Sequence, residues 1–293
     1  MSHPISLFLF PLSGFILASA APAAAQPAPA PAPVAEAPPA AESDCPSFHL
    51  QGRAPSAAAP ARSDGRILCH SFYAISYSTA LRNPLWTSYR LTRAMAEGGD
   101  RISRFKGKFR NDPALTTAEQ GAHKDYVSPP FDRGHLTPAN DAEDMEKQKD
   151  TFVITNVVPQ IGEFNRGLWR FLEASVHELA KDEGEVFIVT GARFAASPPL
   201  MSSPSKPGRI AIPDATFKAI YIPSRNVAIG YLATNEKAAV CTVMSIADLR
   251  RATGVDPFPS LPASVTDTMP AGFTLPKGEG TDPPDCRPAA NDN

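Results

Sequence analysis

Recognisable zinc motifs are missing from this chain. Its four cysteines include no Cys-x-x-Cys pair, which excludes a zinc ribbon. Its six histidines are scattered without a His-Glu-x-x-His string, which excludes that class of metalloprotease. Positive charge is not in excess either: 28 Lys and Arg against 30 Asp and Glu give a net charge of −2 and a pI near 6.3, unlike a strong general binder of nucleic acid. No internal repeat is present. The apolar run at the N-terminus, Ile5 to Ala20, is short for a membrane span.

What is there divides the chain into four parts. Residues 1–25 read as a secretory signal peptide, with small-residue sites at Ala18-Ser19-Ala20 and Ala23-Ala24-Ala25. Met1 to Pro4 contain no Lys or Arg, which leaves an uncleaved anchor as the alternative. Residues 26–44 are Ala/Pro-rich and cannot bury a core, so a disordered tether is expected. Residues 45–286 are long enough for one sizeable domain, and 287–293 form a tail expected to be loose. The four cysteines suit an exported protein and allow three pairings; proximity favours Cys45 with Cys69 and Cys241 with Cys286.

Apolar runs predict strands at Leu68 to Tyr77, Phe152 to Val158, Glu185 to Thr190, Thr216 to Ile222 and Val227 to Leu232. Phe164, Leu168, Phe171, Leu172, Val176 and Leu179 recur at helical spacing, predicting a helix over Glu163 to Asp182 that Gly184 stops. Asp141 to Asp150 reads as a short polar helix. The fold class is α+β, with a central, mainly antiparallel sheet.

The stretch richest in chemistry is Asp132-Arg133-Gly134-His135-Leu136-Thr137-Pro138, followed by Asn165 and Glu173. An imidazole with a pKa near neutrality can take a proton from water, as His135 would. A guanidinium such as Arg133 matches phosphate oxygens, and an amide oxygen such as that of Asn165 suits a hard cation like Mg²⁺. Eight residues of regular helix rise ~12 Å, so Glu173 is expected to act through water held by the metal, and to reach the ion directly only if Asn165 lies in a loop that folds back before the helix begins. Asn165 can also serve as a helix N-cap, Glu173 as a solvated residue and Arg133 as a partner of Asp132 or Asp141.

In these motifs the chain resembles the DNA/RNA non-specific endonucleases of the ββα-metal, or His-Me finger, class. Asp132-Arg133-Gly134-His135 with Pro138 resembles the family signature. Asn156 with Pro159 and Gln160 resembles its Asn-x-x-Pro-Gln element, and Asn165, Trp169 and Glu173 resemble its metal-bearing helix. The resemblance covers about Cys45 to Phe258, with minor departures at Thr137 and Thr151. It implies a β-hairpin plus helix finger, His135 as general base, Arg133 on the phosphate, Asn165 as the direct Mg²⁺ ligand and Glu173 as a metal-site partner. Mn²⁺ or another divalent cation is the alternative metal. Arg104, with Phe109 and Asp112-Pro113, resembles the segment carrying a second phosphate-binding arginine; Arg101, Lys106, Lys108 and Arg110 are alternatives in the same loop. Asn156 joins the catalytic set as a hydrogen-bonding residue near the site, and Trp169 reads as core.

Local charge complements this reading. Arg82, Arg90, Arg93, Arg101, Arg104, Lys106, Lys108 and Arg110 lie against only Glu97 and Asp100, so this stretch is expected to line a groove that follows phosphates. No base-reading motif is visible, which suits recognition of the backbone. The expectation is a periplasmic or secreted Mg²⁺-dependent endonuclease acting on DNA and RNA, without stable membrane association once the signal is cleaved. By resemblance its products carry 5′-phosphates. A non-catalytic nucleic-acid-binding protein on the same fold and a hydrolase of another phosphodiester are the alternatives.

Overall fold

The computed structural model describes residues 45–57, 64–126, 130–201, 210–280 and 285–289. The expected signal peptide (1–25) and tether (26–44) lie outside the described residues.

The N-terminal part is a meander of β1 (Arg66–Cys69), β2 (Ala74–Ser78) and β3 (Asn83–Thr92). A separate hairpin follows, β4 (Phe131–His135) and β5 (Val157–Ile161). The later strands are β6 (Glu185–Arg193), β7 (Ala215–Ile222), β8 (Val227–Thr234), β9 (Cys241–Met244) and β10 (Cys286–Pro288). Apart from the hairpin, these form an eight-stranded sheet in the order β10-β9-β8-β7-β6-β3-β2-β1. Every pairing in it is antiparallel except that of β9 with β10.

Three predicted elements are corrected. The run Leu68 to Tyr77 is two strands, because the chain turns between Cys69 and Ala74. The run Phe152 to Val158 contains a 3₁₀ turn at Ile154–Asn156 before β5 begins. The tail after Cys286 is not wholly loose, since Arg287 and Pro288 pair with Thr242 and Val243.

Strand β3 is central yet escaped prediction. Asn83, Thr87 and Ser88 are buried polar residues within it, so the apolar alternation that marks a strand is broken. Two of them are partly paired: Asn83 Nδ2 donates to the carbonyls of Leu81 (2.8 Å) and Ala211 (2.9 Å), and Ser88 Oγ to that of Phe48 (3.2 Å), while Asn83 Oδ1 and Thr87 Oγ1 have no hydrogen-bond partner among the described residues.

Two apolar clusters cover the sheet. The first joins Tyr77, Tyr89, Leu91, Ile188 and Ile220 of the sheet to Trp169, Leu172, Val176 and Leu179 of the predicted helix. The second packs Val189, Phe217, Ala219 and Ala228 against Ile246 and Leu249 of a helix at Ile246–Thr253 and against Phe258. Each fully buried large side chain contributes ~1.5–3 kcal/mol, and this anchoring holds the helix that carries Asn165 and Glu173. Cys45–Cys69 and Cys241–Cys286 are disulfides, the pairing that proximity favours.

Candidate active site

Hairpin β4–β5 sets the frame of the site. Its antiparallel register places Asp132 opposite Gln160, Gly134 opposite Val158 and His135 opposite Val157. Gly134 is required by packing: a Cβ there would lie 2.0 Å from Oε1 of the buried Gln160. Beyond His135, the Asn156 side chain holds the chain in place. Its Oδ1 accepts from the Thr137 N–H, and its Nδ2 donates to the carbonyls of Thr137 and Thr151, each at 3.0 Å. Asn156 is fully buried behind the cleft and does not line it.

The helix after β5 begins at Gly162, with the short α1 segment Gly162–Phe164, passes through a π-helical turn at Asn165–Trp169, and continues as α2 (Arg170–Glu183). Asn165 is therefore inside the helix and is not its N-cap. In a regular helix Asn165 and Glu173 would point about 80° apart. The π turn, with Gly167 at φ −103°, ψ −110°, inserts an extra residue and unwinds the helix, and both side chains line one cleft. Asn165 Nδ2 donates to Asp132 Oδ2 at 2.9 Å, and Arg166 Nη1 donates to the same oxygen at 2.6 Å. With its nitrogen so engaged, the Asn165 amide leaves Oδ1 as its acceptor atom.

The cleft encloses about 660 Å³. Arg104, Arg133, His135, Asn165, Arg166, Arg170 and Glu173 all line it. Arg133 pairs with neither Asp132 nor Asp141; its Nη1 donates to the carbonyls of Tyr126 (3.2 Å) and His123 (3.5 Å). Its guanidinium lies over the Phe109 ring at 5.4 Å, as that of Arg104 lies over Phe152 at 5.4 Å. Neither arginine forms an ion pair among the described residues, so both charges are available to an anion. The basic stretch expected to line a groove does not enter this cleft as a whole. Arg90 pairs with Glu185, Arg110 with Asp150, and Arg93 donates to the Asp182 carbonyl; of that stretch only Arg104 and the acidic Asp100 reach the cleft.

His135 is wedged between Phe109 and Phe152, at ring distances of 5.0 and 5.1 Å. Burial, reinforced by Arg104 and Arg133, holds its pKa down to about 3, so the ring is neutral at physiological pH. Its Nε2 is buried with no hydrogen-bond partner. Glu173 is shifted the other way. Burial pushes its pKa up to about 7 and Asp141 adds to the rise, while Lys218 and Arg104 oppose it. Its Oε1 is also buried and unpartnered.

Several residues of this environment gave no signal in the sequence. Lys218, fully buried in β7, donates to Thr190 Oγ1 at 2.7 Å and sits 5.3 Å from the Trp169 ring, where it offsets the Glu173 charge. Asp132 orients Asn165. His177 bridges Asp141 (2.8 Å) and Asp100 (3.0 Å), and these carboxylates raise its pKa to about 8 despite burial. Residues from distant strands meet here only through tertiary structure, and no local spacing marks them.

The model of the DNA/RNA non-specific endonuclease family matches residues 51–264, a span containing the hairpin, the π turn and the cleft arginines. The chain belongs to the DNA/RNA non-specific endonuclease family. Like that family's members it is an enzyme of the nuclease type. It is 30% identical over 220 residues to Nuclease C1 of Cunninghamella echinulata var. echinulata, covering 69% of this chain and 86% of that protein. It is also 30% identical over 213 residues to the Mitochondrial nuclease of Saccharomyces cerevisiae, covering 64% of each. In fold it is similar to a chain of the crystallised EndoG/EndoGI complex, with a TM-score of 0.62 and 23% identity over 70% of this chain and 90% of that one.

Proposed function

We propose that this chain is an exported, divalent-cation-dependent endonuclease that hydrolyses DNA and RNA with little sequence preference, using His135 as general base. The observation that carries the reading is the company His135 keeps. A neutral imidazole shares one cleft with Arg104 and Arg133, which form no ion pair among the described residues, and with two oxygen donors, Asn165 and Glu173.

The donors suit a hard cation. The Asn165 amide is oriented by Asp132, the Glu173 Oε1 is buried without a partner, and both ligating atoms are oxygen. Among the described residues no cluster of three or more His, Cys, Asp or Glu gathers as a metal site. An amide, a carboxylate and retained waters is the ligand mixture Mg²⁺ accepts, with Mn²⁺ the alternative. When bound, the cation would polarise the phosphate and stabilise the leaving oxygen. Arg133 and Arg104 bind the non-bridging oxygens, drawing charge off the phosphorus. His135 takes the proton from the attacking water; a bound phosphodiester offsets the arginine charge that depresses the imidazole's basicity. Asn156 acts behind the cleft by fixing the backbone after His135.

Two disulfides support export, and among the described residues no helix is long and apolar enough to cross a membrane. The test is to digest plasmid and RNA with and without EDTA. Cleavage of both, lost with EDTA and restored by Mg²⁺, is expected; binding without cleavage in excess Mg²⁺ would contradict the proposal.

A further inference from the structure

The family match ends at residue 264, yet the chain returns to the active site afterwards. Phe273 and Leu275 pack on the apolar cluster that includes Trp169, Leu172 and Val176. Gly278 is buried against the metal-site helix so closely that a Cβ would lie 2.5 Å from Ala174 Cβ and 2.9 Å from the Ser175 nitrogen. Only a glycine lets the strap lie backbone-on-helix, one residue from Glu173. The next two residues, Glu279 and Gly280, line the cleft. Further on, Cys286 is tied to Cys241.

The strap adds a carboxylate to a cleft of mixed charge: Arg104, Arg133, Arg166 and Arg170 share its lining with Asp100, Asp141, Glu173, Glu178 and Glu279. Lys181 binds two of them, Asp100 and Glu178, each at 2.9 Å. Glu279 is exposed and makes no ion pair among the described residues, so its charge acts on whatever enters. A single strand held by the arginines can bend its remaining phosphates away from that carboxylate. A duplex cannot, because it is stiff and carries one charge per ~1.7 Å of axis counting both strands.

We propose that Glu279 is a specificity-determining residue that disfavours double-stranded relative to single-stranded nucleic acid. The inference rests on the nuclease reading above. The test uses the full chain as wild type, Glu279→Gln and Glu279→Lys, with kcat/KM measured on a labelled DNA strand alone and annealed to its complement. Removing one partly screened charge is expected to raise duplex cleavage roughly 2- to 10-fold, and reversing it to raise it further, with a smaller change on the single strand and a weaker effect at high salt. Equal changes on both substrates, an unchanged ratio across the three proteins, or a wild type that prefers duplex would overturn the proposal. A wild type that cleaves neither substrate would overturn the nuclease reading itself, a separate result.

Discussion

Asn156 shows how a residue outside the cleft can govern one within it. Its side chain makes three hydrogen bonds, all to backbone groups and two of them to Thr137, two residues beyond His135. At about 1 kcal/mol net for each buried bond, and more where a carbonyl is left unpaired, Asn156→Ala should lower stability by ~2–4 kcal/mol in urea unfolding. It should also reduce cleavage, since the chain carrying His135 would no longer be pinned. A variant with wild-type stability and rate would deny Asn156 this role. The cleft residues Arg133, His135, Asn165 and Glu173, and Asn156 behind the cleft, were legible as candidates because they fall in ordered motifs: Arg133 and His135 two apart, Asn156 before Pro159 and Gln160, then Asn165 and Glu173. Asp132 belongs to the signature string, but the sequence suggests no role for it beyond pairing with an arginine. That it orients Asn165, thirty-three residues away, depends on how the hairpin folds onto the helix. Lys218 and His177 were invisible for the same reason: a buried lysine or histidine is defined by neighbours that its own segment does not contain.

Among the elements, the hairpin and the helix were legible in kind and the π turn was not. Helical periodicity survives one extra residue, so Phe164 to Leu179 still read as a single stripe. The rotation that brings Asn165 into line with Glu173 is carried by Gly167, whose significance lies in a dihedral rather than in polarity. Strand β3 was missed because its buried interior includes Asn83, Thr87 and Ser88, which break the apolar alternation that marks a strand. The helix yields a direct prediction. Asn165→Ala removes the proposed direct ligand and should raise the Mg²⁺ concentration needed for half-maximal plasmid cleavage. Glu173→Ala should lose ~10- to 100-fold in metal affinity or activity. Both should fold, because neither residue belongs to the apolar stripe. An Asn165→Ala enzyme with wild-type rate and Mg²⁺ dependence would place the metal elsewhere.

At the scale of the whole molecule, the buried histidines set how stability follows pH. His135 and His49 are held neutral by burial, with pKa values near 3 and 4, so the unfolded chain gains protons on them first as pH falls below about 6.5. Stability should drop on that acid side. His177 is opposite in sign: its pKa is raised to about 8, so its contribution is full below about 6.5 and is lost as pH rises through 8. That rise corresponds to ~2 kcal/mol. Denaturation measured from pH 5 to 9 should therefore show an alkaline limb that His177→Gln flattens. His70, raised by Asp112 and Asp150 despite burial, adds to that limb, and Glu173, pushed up to about 7 by burial, loses its own contribution as pH rises from about 4.5 to 7. An alkaline limb unchanged in that variant would remove His177 from the account.

The central claim is that His135 supplies the base while other groups bind the substrate. Its most direct test compares His135→Ala with wild type in plasmid cleavage and, without metal, in DNA binding. Losing only the base should cost ~10²- to 10⁴-fold in rate while leaving the protein folded and its DNA affinity unchanged. A cleanly purified, folded His135→Ala protein that still cleaves at near the wild-type rate would contradict it.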